Sequence, residues 1–215
     1  LFGTASPESE RAAAEMNAYF LARINDIRRH PKNHLLGQLV AMETEDGMLD
    51  DEELLSFCRL LLIAGNETTT GLITASARIF HEQPETLTQL KQQPQLSGSF
   101  VEEALRYYSP FSATVRRTTR EVELAGQTIA EGELVVPLIA SANRDERVFD
   151  APDTFNIHRS PNPHLALGFG IHVCLGAHLA RLEGRIVAEQ LAERYSEVAL
   201  VYPDTTSAVS YTHLT

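Results

Sequence analysis

Between Asp50 and Pro84 the chain carries one continuous helical pattern, and no other feature constrains its fold as strongly. Asp50 with Glu53 three residues on reads as a capping box. Leu54, Leu55, Phe57, Leu61, Leu62, Leu72, Ile73 and Ile79 then continue at helical spacing until Pro84 forces a stop. A helix over about residues 50–83, roughly thirty residues, is well above the usual globular length. Its interior holds Gly65-Asn66-Glu67-Thr68-Thr69-Thr70, a poor helical run inside an apolar element. Something in the tertiary structure must hold that polar segment in place.

The elements around it are also mostly helical. Ser6-Pro7 opens a helix whose stripe of Ala12, Met16, Tyr19, Phe20, Ile24 and Ile27 ends at His30-Pro31. A short helix over 35–42 and a polar loop over 43–47 follow. Pro84 starts a helix to about Gln92, and Ser99-Phe100-Val101-Glu102 reads as a second capping box, opening a helix to Ser109-Pro110. The period then changes. Val122-Glu123-Leu124, Gln127-Thr128-Ile129 and Leu134-Val135-Val136 are short strands within a β region of about 121–139, separated by turns at Ala125-Gly126 and Glu131-Gly132. Residues 144–163 are irregular but hold the aromatic anchors Phe149 and Phe155. A final helix over about 175–195 carries Leu179, Leu182, Ile186 and Leu191 on one face. The expected fold is mainly α with a small β region.

Composition narrows the function. With 43% apolar and 22% charged residues over 215 positions, the chain is an ordinary globular one. A formal charge of −11 disfavours duplex nucleic acid as the main partner. No apolar run approaches the roughly 18 residues a membrane span needs. Leu1 to Glu8 does not read as a signal peptide. The two cysteines, Cys58 and Cys174, form no disulfide framework and suit a reducing cytoplasm. The first residue is Leu rather than Met, as expected for a piece of something longer.

Three segments carry the chemistry. Gly168-Phe169-Gly170-Ile171-His172-Val173-Cys174-Leu175-Gly176 places one Cys on a glycine-bounded loop at the start of the final helix. A helix N-terminus favours a thiolate, and a thiolate on a tight loop is a suitable axial ligand for haem iron. A buried structural cysteine is the commoner fate of a lone Cys. A zinc site from His164, His172, Cys174 and His178 is a rival with the wrong spacing for the usual fingers. In the long helix, Glu67 and Thr68 set an acid beside an alcohol. Gly65 thins the helix there, and the pair could relay protons to a bound oxygen species; a kink with Thr68 bonded back to a carbonyl is the plainer alternative. Glu103 and Arg106, three apart on one helix, taken alone describe a surface salt bridge.

In their order and co-occurrence these segments resemble the C-terminal half of a bacterial-type soluble cytochrome P-450, from about Ala12 to Pro203. The resemblance makes Cys174 the axial haem ligand in the family's Phe-x-x-Gly-x-His-x-Cys-x-Gly loop, with Gly168 and Gly176 beside it. It makes Ala64-Gly65-Asn66-Glu67-Thr68-Thr69 the oxygen-activation groove, with Thr68 and Glu67 catalytic. Glu103, Arg106 and Arg159 become a buried structural triad. Arg116 and His172 become contacts to the haem propionates, and Ser112 and Thr114 fall where the family lines its substrate pocket. Leu167 departs from the pattern, standing where the family usually has Phe. An aliphatic there still excludes water, but lacks the aromatic's shape and edge dipole, which bears on the iron's potential.

The implied activity is a haem-thiolate monooxygenase using haem b, which oxidises a small apolar substrate. Electrons would come from a ferredoxin-type donor with its reductase, since no flavin or nicotinamide fingerprint is present. Arg181 and Arg185 are candidates for docking that donor, against the plainer reading of an ordinary solvated helix face. A haem-binding sensor or carrier without turnover, and an inactive fragment lacking the N-terminal half, remain as alternatives. Residues 204–215 lack the strand and apolar end expected after the last helix and read as a non-native tail.

Overall fold

The computed structural model describes residues 6–44 and 47–199; the atypical tail over 204–215 lies outside the described residues. The architecture is mainly α, with short two-stranded pairings between helices. The chain divides between Gly65 and Asn66 into two compact units.

The first unit contains α1 (Pro7–Arg29), α2 (Leu35–Val40), the hairpin of β1 (Glu43–Thr44) and β2 (Gly47–Met48), and the start of α3 (Asp51–Glu82). The hairpin occupies the segment expected to be a polar loop. Ser6 caps α1 by accepting from the Ser9 N–H at 3.2 Å. The Asp50–Glu53 capping box forms reciprocally, at 2.8 and 2.9 Å. Only Ile24 and Ile27 of the α1 stripe are buried, in a core with Leu39, Val40 and Leu54. The six-residue α2 is about 9 Å long at 1.5 Å per residue, so it covers only the last turns of α1. Tyr19, from the same stripe, is exposed.

The second unit packs α4 (Pro84–Gln92), α5 (Ser97–Tyr108) and α7 (Ala177–Arg194) around the second half of α3, and also holds the one-turn helix α6 (Ile139–Ala142). Phe80 stacks on Phe100 with ring centroids 5.0 Å apart, and Phe155 meets Phe100 edge-on at 5.8 Å. α5 begins two residues earlier than the capping-box reading placed it. A 3₁₀ turn, Pro94–Leu96, leads straight into the helix, and the Ser99 hydroxyl donates back to the Leu96 carbonyl instead of capping.

The β region is two pairs rather than one meander. β4 (Val122–Leu124) and β5 (Gln127–Ile129) form a hairpin whose turn, Ala125-Gly126, has φ of 49° and 77°. Both values suit the right-handed twist of a two-residue hairpin. β6 (Leu134–Val135) does not continue this hairpin. It pairs antiparallel with β3 (Arg116–Arg117), a strand the sequence reading had missed.

The apolar face of α7 is also corrected. Leu179, Leu182 and Ile186 are exposed while Leu191 packs on the core, and the buried positions are Ala177, Gly184, Ala188 and Ala192. Small residues let α7 lie close against its neighbours. A Cβ built on Gly184 would stand 2.8 Å from Leu72 Cδ2 and 3.1 Å from Val101 Cγ2, both on fully buried side chains. Gly184→Ala gains about 0.5–1 kcal/mol of helix propensity, but overpacking costs typically 1–3 kcal/mol. The expected outcome is a net loss, read as a lower urea midpoint in equilibrium unfolding.

Candidate functional site

The Glu103–Arg106 pair is not on the surface. Both side chains are 0% exposed, and Arg106 forks onto Glu103 through Nε and a terminal nitrogen, each at 2.8 Å. Arg159 Nε reaches both Glu103 oxygens at 3.0 Å, so one carboxylate holds two guanidinium groups. The remaining donors are used on the irregular segment. Arg106 donates to the carbonyls of Asn143, Pro152 and Thr154, and Arg159 to those of Asp150, Ala151 and Thr154. A loop without helix or strand ladders thus has its backbone acceptors satisfied by the triad. Phe149 and Phe155, the expected aromatic anchors, are buried there.

This anchored segment delivers the chain to the Cys174 loop. Asn143, fully buried, receives the Leu165 N–H on its Oδ1 at 2.7 Å and donates to Ser109 Oγ at 2.8 Å. The loop then closes on itself. Gly168 N–H bonds Leu165 O at 2.9 Å, and Cys174 N–H bonds Leu167 O at 2.8 Å. Gly168 has φ of 74°, and a Cβ there would stand 2.8 Å from the His172 carbonyl oxygen. Leu167 packs on the core of the second unit. His172 ends a 3₁₀ turn, Gly170–His172, and Gly176 is the N-cap of α7.

Cys174 is a free, exposed thiol, which removes the reading as a buried structural cysteine. Apolar side chains accompany it. Phe169 is 84% and Ile171 97% exposed, and Val173, Leu175 and Leu179 are exposed as well. A soft sulfur donor among unburied apolar side chains matches a large, flat, apolar metal complex better than a bare ion. The zinc reading finds no support: among the described residues no three His, Cys, Asp or Glu side chains are grouped to hold a metal. His164 instead bonds Glu102.

Glu67 and Thr68 are half-buried in α3, which stays helical through the polar run. The segment is tied to α7 by Thr69, whose hydroxyl donates to Glu183 Oε2 at 3.2 Å. Thr70 donates back to the Asn66 carbonyl at 2.9 Å. Ala64 and Gly65 belong to the other unit, on the same helix. Arg116 is exposed, and its guanidinium donates locally, to Thr114 Oγ1 at 2.9 Å and Val115 O at 2.8 Å. Backbone bonds from Thr114 N–H to Pro137 O and from Ala140 N–H to Ser112 O fix the irregular segment before it.

The structure adds residues that the sequence reading did not select. Glu102 accepts from His164 Nε2 at 3.2 Å and from Arg181 at 2.7 and 3.0 Å. Burial pushes the Glu102 carboxyl up, but the bonds from His164 and Arg181 outweigh it and hold the group at about 2. Arg181, expected as a candidate for docking a partner, is therefore committed within the protein, while Arg185 remains exposed. Glu183 and Asn143 are further additions. Their partners are 114 and 22 residues away, so no local spacing marks them.

Comparison with known proteins gives the same direction. The family model described as Cytochrome P-450 matches residues 8–201. The biotin biosynthesis cytochrome P-450 of Bacillus subtilis is 43% identical over 193 residues, 90% of this chain and 49% of that protein. The crystal structure of substrate-free CYP109E1 from Bacillus megaterium superposes with a TM-score of 0.84 at 42% identity, over 87% of this chain and 49% of that one. The polyketide biosynthesis protein PksS of Bacillus subtilis superposes with a TM-score of 0.86 at 39% identity, over 90% and 50%. The chain spans about half the length of these relatives, and it belongs to the cytochrome P-450 family.

Proposed function

We propose that the chain is the haem-thiolate portion of a monooxygenase, with Cys174 as the axial ligand of haem b. The observation that carries this reading is the exposed Cys174 thiol on a self-closed glycine loop, in a chain of this family. When bound, haem supplies the activation of dioxygen and the insertion of one oxygen atom into substrate.

The protein's own residues do the rest. The loop holds the Cys174 thiolate at the N-terminal end of α7, whose dipole favours negative charge. Gly168 provides the left-handed turn behind it, Gly176 leaves room beside the sulfur, and Leu167, packed on the core, holds the Cys174 N–H with its carbonyl. Arg116 and His172 supply exposed donors suited to carboxylates such as the haem propionates. The small side chains of Ala64 and Gly65 leave a shallow stretch of helix, and Thr68 holds a proton at Oγ1 that Glu67 replenishes. Ser112 and Thr114 contribute to the substrate pocket. Glu103, Arg106 and Arg159 act on the fold rather than the chemistry.

The proposed substrate is a small apolar organic molecule. A ferredoxin-type donor with its reductase is the proposed electron source, and a cytoplasmic setting suits two free thiols. No described helix is long and apolar enough to cross a membrane.

The test is a carbon monoxide difference spectrum of the haem-loaded, reduced chain. A strongly red-shifted Soret band that disappears in Cys174→Ser is the expected result. An unshifted band in the parent, or a shifted band that survives in Cys174→Ser, overturns the reading.

A further inference from the structure

α3 meets the segment that follows α5 at Gly71 and Pro110. A Cβ built on Gly71 would stand 3.1 Å from Pro110 Cβ and 3.7 Å from its Cα, a tighter approach than side chains normally make. Gly71 follows Thr68 by three residues, so both lie toward one side of α3. Pro110 opens the run Phe111-Ser112-Ala113-Thr114. Neither side of this contact can withdraw. Thr69, two residues before Gly71 and nearly opposite it on the helix, ties α3 to α7 through Glu183 at 3.2 Å. Pro110 follows Ser109, a non-glycine residue held at φ of 36°. Its Oγ donates to Arg106 O at 3.1 Å and accepts from the fully buried Asn143 at 2.8 Å. Further along, Ser112 O accepts the Ala140 N–H at 2.9 Å, and the Thr114 N–H donates to Pro137 O at 3.1 Å.

We propose that Gly71 is a positioning residue for substrate selectivity: its missing side chain sets how closely the run from Phe111 to Thr114 lies to the Thr68 turn of α3. This role rests on the proposed function, in which Thr68 acts in the chemistry and Ser112 and Thr114 contribute to the pocket. A Cβ added at position 71 is a wedge between the two. α3 is a continuous helix braced on α7, whereas residues 111–115 form no helix or strand, so the run is the side that gives. Pro110 must move by a few tenths of an ångström. Neither Gly71 nor Pro110 belongs to the buried core cluster, so the wedge changes the pocket and leaves the core as it is.

The first measurement needs no haem. Hydrogen exchange at the Thr114 and Ala140 amides of the 215-residue chain reports how firmly the run is held. Gly71→Ala is expected to speed both about threefold. The same change made in a Pro110→Gly background, where the Cβ it meets is gone, should have no effect. In the haem-loaded chain the readout is the affinity for phenylimidazole divided by that for imidazole, two iron ligands that differ in bulk. Gly71→Ala should raise this ratio about threefold, and again should not do so in the Pro110→Gly background. Gly98→Ala, where an added Cβ meets open space, is the control and should leave every value at the parent's. A purely structural role for Gly71 would lower both affinities together and keep their ratio. A ratio that is unchanged or falls, or that shifts equally in Gly98→Ala or in the Pro110→Gly background, overturns the proposal. Absence of the red-shifted carbon monoxide band in the parent sinks the haem-thiolate reading instead, and the exchange rates still decide whether Gly71 positions the run.

Discussion

Glu103→Ala is expected to remove about 3–5 kcal/mol of stability, enough to leave the chain largely unfolded at 37 °C if its total lies near the low end of the usual ~5–15 kcal/mol range. The size follows from what is left behind. Arg106, 0% exposed, would keep its charge with no carboxylate beside it, and Arg159 would lose both of its short bonds to Glu103. Asn162 and the Asn156 N–H would each lose an acceptor as well. Arg106→Lys should fail almost as badly, because one ammonium cannot replace a fork onto Glu103 and three carbonyl contacts. Urea unfolding followed by circular dichroism measures this directly. A Glu103→Ala midpoint within about 1 kcal/mol of the parent, the worth of a surface pair, would show that the buried network carries little.

Gly168→Val is expected to have the opposite profile: little change in unfolding midpoint but near-complete loss of the red-shifted carbon monoxide band. A β-branched residue at φ of 74° is strongly strained, and its Cβ would press on the His172 carbonyl at 2.8 Å. The loop is exposed, so it can relieve this by opening. Opening breaks the Cys174 N–H to Leu167 O bond that sets the thiol's position. Gly126→Asn is the matched control. It sits at φ of 77° with open space around it, and Asn tolerates that conformation, so its spectrum should match the parent's. A full-strength shifted band in Gly168→Val would show that the loop geometry is not required for ligation.

The elements and site segments that could be read in the sequence share a local cause. The long helix α3, the caps at Ser6 and Asp50 and the Ala125-Gly126 turn depend on residues within four positions of one another. The cysteine loop was readable for the same reason, since its glycines, its thiol and the start of α7 lie within ten residues. Glu103 and Arg106 were visible as a pair by spacing, but spacing alone suggested an exposed salt bridge. Their burial depends on an irregular segment some fifty residues away, whose carbonyls need donors.

Amphipathic patterns were the less dependable guide. Of the four residues read as one face of α7, Leu179, Leu182 and Ile186 are exposed and Leu191 packs on the core, because a helix buries the face its neighbours approach most closely. In α7 that is the face of Gly184, Ala188 and Ala192, against Leu72 and Val101. The same limit applied to β6, whose partner is a strand formed by two arginines upstream. By itself, then, the sequence determined the helices, the cysteine loop and the resemblance to a family, since all three are written in short-range order. Tertiary structure alone decided which charges are buried, which apolar faces remain open and that Arg181 is held by Glu102. Those outcomes depend on contacts between segments far apart in the chain, where solvent is excluded and a single unpaired group costs several kcal/mol.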